Sequence, residues 1–124
     1  MKNSILIPIL FILGIFGLNA CNDDVICTDI FAMAGVTVHG DQPEHTYTVR
    51  RSTGDTLFRD QKLNDSLYLI LDDTYLPKLK NSSDIFVFHG IVNDSIVAQE
   101  EYLISADECH IRVVTGPHDI VLKK

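Results

Sequence analysis

Three cysteines, five histidines and 17 acidic residues are the chain's stock of groups able to bind a metal, move protons or attack a carbonyl. Their spacing decides what they can do. The histidines (His39, His45, His89, His110 and His118) include no i, i+2 or i, i+4 pair, so no single element presents two of them to one ion. A metal site would have to be assembled from distant segments. The simplest version has His110 and His118 meeting across a final hairpin, with Asp107 or Asp119 beside them. Separate histidines, each bonded to a neighbour, are the commoner arrangement, and no metal or other cofactor is expected. No Gly-x-Ser-x-Gly or comparable nucleophile motif occurs. Glu100 and Glu101 would face opposite sides of a strand, so they cannot work together on one glycosidic bond. These residues point away from an enzyme.

Cys21 has a different kind of context. Lys2 is followed by an apolar run from Ile5 to Leu18, about 14 residues against the ~20 needed to cross a bilayer, and broken by Pro8, Gly14 and Gly17. Such a run suits the apolar core of a signal peptide. It ends in Leu18-Asn19-Ala20-Cys21, which resembles the lipobox of bacterial lipoproteins. There the small Ala20 fits a peptidase cleft, Leu18 fills an apolar pocket, and the Cys21 thiol takes a diacylglycerol. Each buried methylene contributes about 0.8 kcal/mol, so two or three acyl chains anchor stably where one is marginal. The expectation is a signal peptide over 1–20, a lipidated tether over 21–27, and one domain over 28–124.

Acylation of Cys21 also resolves the cysteine count, because it leaves Cys27 and Cys109 as a pair. In the oxidising compartment that an exported chain enters, a Cys27–Cys109 disulfide is expected, and it would close most of the domain into one loop. Neither Cys-x-x-Cys nor a histidine cluster offers a redox or metal alternative.

Removing Lys2 with the signal leaves nine Lys plus Arg against 17 Asp plus Glu, a net charge of −8. Such a surface lacks the counterion-release term that drives nucleic-acid binding, so nucleic acid is excluded as a partner. The acids come as short pairs, Asp23-Asp24, Asp72-Asp73, Glu100-Glu101 and Asp107-Glu108, which read as solvated surface.

The elements that must position these groups are strands. Short β-branched and aromatic runs alternate with Gly, Asn, Asp and Ser clusters, which predicts strands at 30–39, 46–51, 56–59, 66–71, 85–92, 96–104, 110–115 and 119–122. Ser52-Thr53-Gly54-Asp55 and Asn93-Asp94 read as hairpin turns, so neighbours should run antiparallel. The 85–92 run is apolar on both faces, as a central strand should be, and Pro77-Lys78-Leu79-Lys80 allows a short helical turn. An all-β, single antiparallel sandwich follows.

The lipobox, Cys27-Thr28-Asp29-Ile30-Phe31, Tyr102-Leu103-Ile104, Ala106-Asp107-Glu108-Cys109-His110-Ile111 and Gly116-Pro117 together resemble small Bacteroidota lipoproteins with a carboxypeptidase-regulatory-like, or transthyretin-like, sandwich. The resemblance implies a Greek-key sandwich of about seven strands and a supporting or binding role, and it transfers no catalytic residue. Asn22-Asp23-Asp24 resembles a short acidic export tag for surface display. Asp55-Thr56-Leu57, Asp65-Ser66-Leu67 and Asp94-Ser95-Ile96 resemble O-glycosylation acceptors, with Thr56, Ser66 and Ser95 as the modified residues, although Asp-Ser and Asp-Thr also make ordinary turns. Tyr47, Tyr68, Tyr75 and Tyr102 are expected to pack in the core or at strand rims rather than form a sugar platform.

These observations set the functional expectation. The chain should be a non-enzymatic lipoprotein of the bacterial outer membrane, periplasmic or surface-exposed, held in lipid through Cys21. It should serve an envelope protein partner as an accessory, scaffold or interaction module. The alternative is a surface glycan- or peptide-binding lipoprotein that uses loops at one end of the sandwich.

Overall fold

A computed structural model describes residues 26–123. The expected signal peptide, the expected lipidation site Cys21 and the acidic residues after it lie outside the described residues. The chain folds as an all-β sandwich of two sheets with eight strands: β1 (Met33–Gly40), β2 (His45–Arg50), β3 (Thr56–Leu57), β4 (Leu67–Asp72), β5 (Ser83–Val92), β6 (Ser95–Ala106), β7 (Ile111–Thr115) and β8 (Asp119–Leu122). One sheet has the order β4-β1-β8 and the other β3-β2-β5-β6-β7.

Alternation explains the layering. In β1, Ala34, Val36 and Val38 are buried while the residues between them are not. In β6, Ala98, Tyr102, Ile104 and Ala106 point the same way. Phe86 and Phe88 of the central β5 meet Tyr68, Ile70, Val36 and Ile104 in the space between the sheets. Thr48 is wholly buried there, and its hydroxyl donates to the Ile70 carbonyl at 2.8 Å, so one side-chain bond ties β2 to β4 across the core. On the other face of β5, Val87 and His89 are only 7% and 9% exposed. Tyr47 stacks on His89 with ring centroids 4.6 Å apart, and the Arg51–Glu101 ion pair lies beside Val87. The central strand is therefore covered on both faces, as its apolar run predicts.

Turn chemistry sets the connections. Asn93 and Asp94 both have positive φ, 50° and 61°, which matches the right-handed twist of the β5–β6 hairpin. Gly116 has φ +138°, and a Cβ there would enter the Tyr102 ring. That close approach lets the Tyr102 hydroxyl donate to the Pro117 carbonyl at 2.6 Å as the chain crosses from β7 to the other sheet.

The structure corrects the sequence reading in several places. The eight strands match the number the residue pattern predicts, where the resemblance implies about seven, but β8 runs parallel to β1, so the sandwich is not wholly antiparallel. Because β8 follows β7 through a crossing between sheets rather than a hairpin, its direction is free of the hairpin rule. The first strand begins at Met33, not Ile30, since Ile30 and Phe31 are exposed and Ala32 bonds to Asp73 instead of extending the ladder. The short helix spans Leu76–Leu79, one residue earlier than expected, and is preceded by a 3₁₀ turn over Asp73–Tyr75.

Candidate functional site

The densest group of polar side chains gathers at one end of the sandwich, where the N-terminal segment meets the β6–β7 connection. Asp72 ends β4 and caps the 3₁₀ turn by accepting from the Thr74 amide at 2.9 Å, and this fixes the following Asp73. The Asp73 carboxylate is 8% exposed and takes three donors. Its Oδ2 accepts the Ala32 amide at 2.8 Å and His110 Nδ1 at 2.6 Å, while Oδ1 accepts the Ile111 amide at 2.8 Å. Burial pulls the Asp73 pKa upward, but the Ala32 amide, His110 and the Ile111 amide outweigh it and hold the carboxyl below its ordinary value. Asp73 thus fastens the incoming segment, the start of β7 and His110 to one buried charge.

Two further links complete the clasp. His110 Nε2 lies 2.9 Å from the Thr28 hydroxyl, and Cys27 is disulfide-bonded to Cys109 with a Cα–Cα distance of 5.2 Å. Asp107 shapes the loop by accepting the Cys109 and His110 amides at 2.7 and 2.8 Å. These amides, with His110 nearby, hold its carboxyl below the ordinary value. Thr28, His110 and Asp73 form a hydroxyl–imidazole–carboxylate chain of the kind that activates a nucleophile. Acyl transfer also needs free donors for the developing oxyanion. The amides of Cys109, His110 and Ile111 are already spent on Asp107 and Asp73. What the arrangement does is hold residues 27–32 against the domain.

The other predicted residues disperse. Among the described residues no three His, Cys, Asp or Glu side chains gather to hold a metal ion. His110 turns to Asp73 rather than to His118, and Asp119 pairs instead with His39 at 2.8 Å, so the long-range metal arrangement does not form. His45 faces Asp60 at 3.3 Å, and His89 donates from Nδ1 to the Val87 carbonyl at 3.1 Å. Desolvation lowers the His89 pKa, so the ring is neutral when buried. Thr56 sits exposed in the two-residue β3 and Ser95 is exposed at the start of β6. Ser66 is half-buried before β4, and its amide donates to the Asn64 side chain at 3.0 Å. The three candidate acceptors therefore occupy separate turns or strand starts. Tyr68, Tyr75 and Tyr102 are buried in the core, leaving only Tyr47 half-exposed.

Sequence reasoning missed Asp73, which it read with Asp72 as solvated surface. A signal was present: Asp72-Asp73-Thr74 just ahead of Leu76-Pro77 has the Asp cap and early proline of a helix start. It also missed the Arg50–Asp84 pair, 2.5 Å apart with both side chains mostly buried, near the same end of the sandwich. Burial opposes ionisation of Asp84, but Ser52 and Arg50 hold its carboxyl below the ordinary value.

Among known proteins, the chain matches no family model, no curated protein and no solved structure.

Proposed function

We propose that this chain is a non-enzymatic, lipid-anchored lipoprotein of the bacterial outer membrane, whose transthyretin-like sandwich serves an envelope partner as an accessory, scaffold or protein-interaction module. The observation that carries this reading is the clasp. Cys27, Thr28 and Ala32 are each fastened to the body of the domain, and Cys27 is only six positions after Cys21. Six extended residues reach at most about 20 Å, so acyl chains on Cys21 would hold this end of the sandwich close to the lipid surface. Ile26, Ile30, Phe31 and Met33, all more than half exposed on the same segment, suit a position near an apolar phase or an apolar partner. The Thr28–His110–Asp73 chain is read as structural, because the amides beside it are engaged.

A sugar-binding alternative loses support from the burial of three of the four tyrosines, since the aromatic faces it needs are spent on the core. The test of the main reading is crosslinking and affinity capture of the full-length protein from native membranes, with Cys21→Ala as the unanchored control. One stoichiometric envelope partner, lost in the control, is the expected result. Repeated capture of none sinks the interaction reading.

A further inference from the structure

The last two strands of the five-stranded sheet, β6 and β7, differ in length. β6 has twelve residues, but β7 pairs only with Leu103–Ala106 before the chain crosses to the other sheet beside Tyr102. From Ser95 to Glu101, β6 is paired on one side only, to β5. Hydrogen-bond alternation shows what that leaves. The Arg51 amide donates to the Ile85 carbonyl, so Ile85, Val87 and His89 turn their backbone groups toward β2, while Phe86, Phe88 and Gly90 turn theirs toward β6. Tyr102, Glu100 and Ala98 answer them, and Gln99 and Glu101 direct their amides and carbonyls off the open side. Val97 is the extra residue of a bulge between Ile96 and Ala98 and has no partner in the ladder. β7 offers no partner to Gln99 or Glu101 on that side, because its pairing with β6 stops at Leu103.

We propose that this edge is a strand-addition site for an extended, basic segment of a partner protein. Unpaired backbone groups supply affinity in this mode, and side-chain pockets supply selection. Ile96 and Val97 are 53% and 43% exposed, and Val97 lines a cleft with Val92 and Leu122 whose rim carries Asp41, Glu44 and Lys123. The cleft is about 230 Å³, room for one side chain rather than for a whole small ligand of the usual kind. Two acids against one lysine, with Asp94 at the turn and Glu100 in the edge strand itself, favour Lys or Arg on the incoming strand. Glu100 occupies a core-facing position of this edge, a placement that disfavours pairing with a second acidic copy.

This inference rests on the interaction-module reading, and its test separates the two. The probe is a blocked nine-residue peptide alternating Lys and Val, with a Glu–Val counterpart and a Lys–Val version N-methylated on alternate amides as controls. Hydrogen exchange of the full-length protein should slow about tenfold or more at the amides of Gln99 and Glu101 with the basic peptide alone. Gln99→Pro, which removes an outward amide, should abolish that protection, and Val97→Lys should weaken binding of the basic peptide about tenfold. Absence of protection by any peptide overturns the proposal. So does protection that survives both substitutions, or an edge already protected by a dimer of the chain. If Gln99→Pro still captures the membrane partner, the module reading stands and this edge is not its contact. If the peptide binds but membranes yield no partner, the edge stands and the module reading falls.

Discussion

Removing the Cys27–Cys109 bond should cost the domain a large share of its stability without changing its fold. The bond joins residues 82 apart in sequence, and the chain-entropy model for a loop of that length gives about 15 cal/mol/K, or ~4.5 kcal/mol at 25 °C. Asp73 still holds Ala32, His110 and Ile111 after reduction, so the native arrangement survives and most of the loss lies in the freed unfolded chain. Small domains have only about 5–15 kcal/mol in total, so the reduced form should be marginal but folded. The assay is urea unfolding of a Cys27→Ala/Cys109→Ala double variant beside the oxidised wild type, followed by far-UV circular dichroism. The expected result is a loss of about 3–4.5 kcal/mol with an unchanged native spectrum. A loss below about 1 kcal/mol would refute the reasoning, because it would mean that the bond constrains little or is absent.

Other outcomes follow from the same end of the molecule. Asp73→Ala strands the Ala32 and Ile111 amides and His110, and should cost about 3–5 kcal/mol by equilibrium unfolding. The Asp73 and Asp84 carboxyls are held below the ordinary value of 3.8, so the unfolded chain binds protons more readily. Their stabilisation is fully present above that value and lost as pH falls through the folded values, so urea midpoints should be steady above about pH 5 and fall below about pH 4. Asp73→Asn should flatten that fall. Gly116→Ala, with positive φ and a Cβ driven into the Tyr102 ring, should lower stability by at least about 2 kcal/mol in thermal melts. Wild type and Thr28→Val should hydrolyse a p-nitrophenyl ester at the same background rate, since the amides of Cys109, His110 and Ile111 beside the imidazole are engaged elsewhere.

The strands and the central position of β5 were legible because alternation and turn residues are local signals. The β5–β6 hairpin could be read from Asn93-Asp94, since positive φ at both positions suits those residues. The Cys27–Cys109 pairing was legible from the cysteine count of an exported chain, and the bond is present. The parallel β1–β8 pair was not legible, because which sheet receives a strand after a crossing depends on long-range packing. The clasp was hidden for a related reason. Asp73 looks like any surface acid until the fold brings Ala32, His110 and Ile111 around it. The open half of β6 was equally hidden, since it depends on where β7 leaves the sheet.

Mass spectrometry of the N-terminal peptide of the protein purified from native membranes tests the central claim most directly. The account predicts a chain beginning at Cys21 with a diacylglyceryl group on its sulfur. A chain that retains residues before Cys21, or carries a free Cys21 thiol, would contradict it.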